Sequence, residues 1–210
     1  MNKMILIPIL VGITIIFSLV LFYPELESSN NSKSDSENDF IYSDIDKIQK
    51  ILVTKNIFIS TPTPITDHTV EQYCTFFDDE NIQKFVQYCL TTAISDSEGQ
   101  HLGNLNMGGN PINPKMALAI IEVPSLDYKL DDSIIIFQTI IDTLVCDCWD
   151  EQQPGGFESV SAWINAANQQ YDESEQKTLK SKINGLAQKQ LILEITATEE
   201  SYLWTLIVIK

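Results

Sequence analysis

Arginine is missing from this chain. Its basic residues, thirteen in all, are every one a lysine, against 29 aspartates and glutamates, for a formal charge of −16. Nucleic-acid binding needs a basic surface to neutralise phosphates, and arginine is the commonest reader of guanine edges, so no nucleic-acid partner is expected. Bidentate capture of phosphate or carboxylate by guanidinium is excluded by the same absence. Histidine is nearly as scarce, with only His68 and His101. No histidine follows Cys148, so the clustered late ligands of a blue-copper centre are absent. There is no P-loop, no Rossmann glycine pattern, no HExxH, no GxSxG and no EF-hand loop.

What is present begins with a long apolar run. Met4 to Tyr23 carries no charge, and at about 1.5 Å per residue it can span a hydrocarbon core of about 30 Å. Pro8 and Gly12, costly in a soluble helix, are tolerated in a spanning one. Lys3 and the α-amino group precede the run while Glu25 and Glu27 follow it, which keeps the short tail cytoplasmic and exports the rest. Phe22-Tyr23-Pro24-Glu25 offers no small-residue cleavage site, so residues 1–23 read as a transmembrane signal anchor rather than a cleaved leader. Residues 24–43, rich in Ser, Asn, Asp and Glu, are too polar to pack and read as a disordered tether.

Residues 44–210 are expected to form one extracytoplasmic α+β domain with a mainly antiparallel sheet and several packing helices. Helices are expected over Asp44–Asn56, from Asp78/Asp79 through Ile82, Phe85, Val86 and Cys89, over Ser133–Trp149 with a cap near Asp131-Asp132, and from Ser159 onward. Strands are expected at Ile57–Ser60, Leu90–Ser95, His101–Met107, Met116–Val123, Leu191–Ala197 and Tyr202–Ile209. Pro62 and Pro64, Asp96 to Gly99, Gly108 to Pro111 and Thr198 to Ser201 read as turns. The last strand is apolar on both faces, which predicts a place inside the sheet.

Cys74, Cys89, Cys146 and Cys148 lie in the exported part, where disulfides persist. A Cys74–Cys89 bridge would close a loop of about 15 residues and add roughly 3 kcal/mol. Direct Cys146–Cys148 pairing is strained at its spacing. On a helix the two side chains also point about 200° apart, with Cys148 among Phe137, Ile141 and Leu144 and Cys146 beside Asp142. Helical periodicity therefore predicts no shared chemistry between them, whereas an extended stretch would place them on one face. His101, Met107 and Cys146 form a weak set of candidate metal ligands.

Between Lys129 and Lys177 no basic residue occurs. Asp142, Asp147, Asp150 and Glu151 fall in this interval and mark a candidate acidic surface for cations or a basic protein. The reading that follows is a single-pass, membrane-anchored extracytoplasmic protein with a non-catalytic ligand- or protein-binding domain and no cofactor. Two alternatives stand beside it: a thiol- or metal-dependent enzyme using Cys146 and Cys148, and an accessory subunit of an envelope membrane complex.

Overall fold

The computed structural model describes residues 39–66, 69–70, 74, 83–174 and 176–210. The apolar run 4–23, the tether up to residue 38, His68 and the expected helix start at Asp78/Asp79 lie outside the described residues. Among the described residues no helix is long and apolar enough to cross a membrane.

Chain order runs α1 (Asp44–Val53), β1 (Phe58–Ile59), β2 (Thr63–Thr66), β3 (Tyr88–Ser95), β4 (His101–Gly109) and β5 (Pro114–Val123). Then come α2 (Leu130–Leu144), α3 (Trp149–Gln152), a 3₁₀ turn at Pro154–Gly156 and α4 (Val160–Asp172). The strands β6 (Thr178–Leu186), β7 (Lys189–Ala197) and β8 (Tyr202–Ile209) finish the sequence. The described strands form an eight-stranded sheet in the order β1-β3-β4-β5-β8-β7-β6, with β2 beside β1 on the outer edge of β3. Every pairing is antiparallel. This is a mixed α+β fold in which two antiparallel meanders, β3–β5 and β6–β8, join through their last strands. The register of that join runs from Met116 opposite Ile209 to Val123 opposite Tyr202.

Side chains alternate across a strand, so β5 and β8 show how both faces are used. Ala117, Ala119 and Ile121, with Trp204, Leu206 and Val208, face the main core under the helices. Met116 and Leu118, with Ile207 and Ile192, face a second cluster on the other side, where Val70, Cys74 and Val86 pack against them. A strand apolar on both faces belongs in the middle, and β8 lies between β5 and β7 as expected. Gly103 allows β4 and β5 to approach closely, because a Cβ there would strike the Ile120 carbonyl.

Helix α2 buries Ile136, Phe137, Ile140, Ile141 and Leu144, each contributing about 1.5–3 kcal/mol. That burial outweighs the missing cap, worth about 1 kcal/mol: its N-cap is Lys129 in the left-handed region, with no side-chain cap hydrogen bond. The expected cap at Asp131-Asp132 is corrected accordingly, since both acids sit inside the first turn. Lys129 instead makes an ion pair with Asp96. Helix α4 starts where the sequence marks it, with Ser159 Oγ accepting from Ala162 N at 3.0 Å. Trp163 of α4 is buried and donates from Nε1 to Ser181 Oγ on β6 at 2.8 Å.

Several expectations need correction. Cys89 lies on β3, not on a helix, and Phe85 is 60% exposed rather than part of an apolar stripe. Gly108 and Gly109 continue β4, and the turn is made at Asn110, whose Oδ1 accepts from the backbone of Ile112 and Asn113. Pro64 sits in β2, an edge strand, where a missing N–H costs no interior ladder bond. Strand β6 was not expected from the sequence: Lys180 and Lys182 mask its period, and its hairpin to β7 turns at Ala187 and Gln188, both at positive φ.

Candidate functional site

Helix α2 stops at Leu144, five residues short of the expected Trp149. Val145 departs to φ −112° and ψ −76°, and Cys146 N reaches back to the Ile141 carbonyl at 3.2 Å. The physical reason is Trp149. Continued at about 100° per residue, the helix would carry Trp149 about 140° away from Leu144, off the buried stripe. Leaving the helical path brings Trp149 inward to 4% exposure. Its ring lies 5.7 Å from that of Trp163, and its Nε1 donates to the Phe157 carbonyl at 3.0 Å. The sequence carries a second signal for this early stop: the last turn holds no basic residue, so nothing complements the negative end of the helix dipole.

Off the helix, Cys146 and Cys148 are joined by a disulfide. This corrects the expectation that helical geometry would hold them apart, because the 200° argument applies only to residues within one helix. Cys74 and Cys89 form the other bridge, so the connectivity realised is the one that strain at Cys146–Cys148 was expected to disfavour. The described residues contain no free cysteine.

The same departure builds a pocket of about 210 Å³. Helix α2 supplies Gln138 and Asp142, the turn supplies Asp147 and Cys148, and α3 supplies Asp150 and Glu151. Trp149 and Val160 provide apolar wall, and Ser159 contributes from the start of α4. All four acids of the candidate acidic surface therefore line one concavity, and no lysine is among its lining residues. Gln138, Trp149 and Ser159 were not singled out for the site; their part depends on where α2 ends.

Burial and, after it, like charge both act on Asp142. Burial first, then repulsion from Asp147 and Asp150, pushes its carboxyl up to about 6, against a hydrogen bond from Gln138 that favours the ionised form. A cation entering the pocket would relieve this repulsion.

The weak metal set is not assembled. Met107 is fully buried in the main core, His101 is exposed, and Cys146 is disulfide-bonded. A register shift between β3 and β4 beside Ser95 turns Leu102 into the core next to His101. Among the described residues no group of three or more His, Cys, Asp or Glu side chains is placed to hold a metal ion.

Comparison with protein-family models, with curated proteins and with solved structures finds no match for this chain.

Proposed function

We propose that the chain is a membrane-anchored extracytoplasmic binding module, and that its acidic pocket takes up a cationic group of a protein or peptide partner. The observation that carries this reading is the convergence of Asp142, Asp147, Asp150 and Glu151 on one pocket without a lysine on its wall. Size narrows the occupant. Sites for drug-sized ligands run to about 300–1,000 Å³, and 210 Å³ fits an ammonium or guanidinium head better. The charge of the whole chain would draw such a partner in, and screening by salt would weaken it. The anchor rests on the uncharged run Met4–Tyr23 and the lysine that precedes it.

Binding of a lysine-rich peptide to the full-length chain tests the pocket. Fluorescence anisotropy should show saturable binding that weakens from low salt to physiological salt. The double substitution D147N/D150N should reduce affinity by about tenfold, on the scale of one or two lost charge pairs. Equal affinity for the variant would refute the pocket as the site. Separately, the chain should stay with the membrane fraction after alkaline carbonate washing.

A further inference from the structure

We propose that Cys146–Cys148 is a redox-active disulfide that oxidises a dithiol on a protein or peptide partner, with Cys148 as the leaving sulfur. The inference stands on the disulfide and its surroundings and does not require the cation-binding reading.

Access separates this bridge from the other. Cys74 and Cys89 are 0% exposed, inside the second apolar cluster. Cys146 and Cys148 are partly exposed, and Cys148 lines the pocket wall. Thiol–disulfide exchange needs in-line approach of a thiolate to a sulfur, so access gates the reaction. The turn is also held without the bond. Cys146 N donates to Ile141 O, and Trp149 is anchored in the core. Opening the disulfide therefore need not unfold the turn.

The two sulfurs are not equivalent. Gln152 Nε2 donates to Cys148 Sγ at 3.2 Å. The pocket's carboxylates oppose charge on Cys148, while a donor aimed at its sulfur stabilises the thiolate over the thiol, and it is on that donor that the assignment of Cys148 as the leaving group rests. A partner thiolate then attacks Cys146 Sγ. The Cys146–Cys148 bond breaks, a mixed disulfide forms at Cys146, and the bonding pair leaves on Cys148 Sγ, which takes a proton. The partner's second thiolate attacks its own sulfur in that mixed disulfide and releases Cys146 as a thiolate, which is protonated in turn. The partner's two thiols become one disulfide, and the chain's disulfide becomes two thiols. Two electrons and two protons are transferred, and the chain's own bond is the only oxidant in that turnover. Asp142 lines the same pocket as Cys148, and burial holds its carboxyl above the usual carboxylate range.

The test uses the full-length chain in mild detergent, dithiothreitol as the reductant, and quenching with a mass-tagged alkylating reagent followed by peptide mapping. Cys146 and Cys148 should become labelled at least about tenfold faster than Cys74 and Cys89. Gln152→Ala should slow labelling of that pair several-fold while leaving Cys74–Cys89 unchanged. Cys148→Ala exposed to oxidised glutathione should retain a mixed disulfide on Cys146. Equal resistance of both bridges until the chain unfolds would overturn the proposal, as would a C148A thiol that stays free. An unaltered rate in Q152A would overturn the assignment of Cys148 as leaving sulfur. Dithiothreitol is uncharged, so failure here leaves the peptide-binding test standing, and failure there leaves this one standing.

Discussion

The two disulfides are built on opposite principles. Cys74–Cys89 spans fifteen positions and lies fully buried among Val70, Val86, Met116 and Leu118, on the sheet face opposite α2 and α4. Cys146–Cys148 spans two positions and lies at the rim of an acidic pocket. The first fastens a long connection to apolar strands, so it restricts the unfolded chain strongly. The second joins residues that the turn already holds together, so it restricts little and remains open to chemistry. A disulfide's worth to the fold and its readiness to react are set by the same two variables, loop length and burial, working in opposite senses.

The sharpest way to break that comparison is to remove each bridge in turn. C74A/C89A should lower stability by about 3 kcal/mol, with a clear fall in melting temperature. C146A/C148A should cost less than about 2 kcal/mol, because a loop this short removes little chain entropy. Chemical denaturation of both double variants decides it, and equal losses would show that loop length is not the controlling variable.

A smaller effect comes from the pocket itself. The Asp142 carboxyl is raised to about 6 in the folded chain, against an ordinary value near 4. The folded state thus binds the proton more tightly, and stability from this group is greatest below about 4 and is lost as pH rises towards about 6. Asp142→Asn removes the penalty. With allowance for solvent screening, it should stabilise the chain by about 1 kcal/mol at pH 8 and by almost nothing at pH 4.

The smallest expected effect has the reverse sign. The Lys129 ammonium, with backbone N–H groups of Gln100 and Glu98, holds Asp96 below the usual carboxylate range. This contribution is present above the ordinary carboxylate pKa and is lost as pH falls through the lowered one. D96N should therefore destabilise modestly at neutral pH, and the difference from the parent chain should shrink in strong acid. Thermal melts across pH would separate the two carboxylates by the direction of their slopes.

How much of this was legible in the sequence differs between the sheet and the site. Strands such as Tyr202–Ile209 were readable because a short apolar run bounded by turn residues is a local signal, and burial on both faces was readable with it. Strand β6 was not, because its outer residues include Lys180, Lys182 and Gly185, which resemble a loop. The acids Asp142, Asp147, Asp150 and Glu151 were visible as a charge excess, but their convergence was not. It depends on the end of α2, which is decided by the pull of Trp149 into a core made by distant residues. The same five-residue overrun of the expected helix hid the disulfide between Cys146 and Cys148. At a helix end, tertiary burial overrides periodicity, and a site built there is placed by the core rather than by the local pattern.

The join between β5 and β8 has a consequence for how the molecule is made. A chain delivered from its N-terminal side completes β3–β5 long before β8 appears, since three helices and two strands intervene. Through that interval β5 presents an unpaired edge with Met116, Leu118 and Ile120 on one side and Ala117, Ala119 and Ile121 on the other. Such an edge is a template for pairing with any extended neighbour. The nascent chain is therefore most vulnerable late, and a holding factor that shields β5 until residues 202–209 emerge would guard the step on which the whole sheet closes.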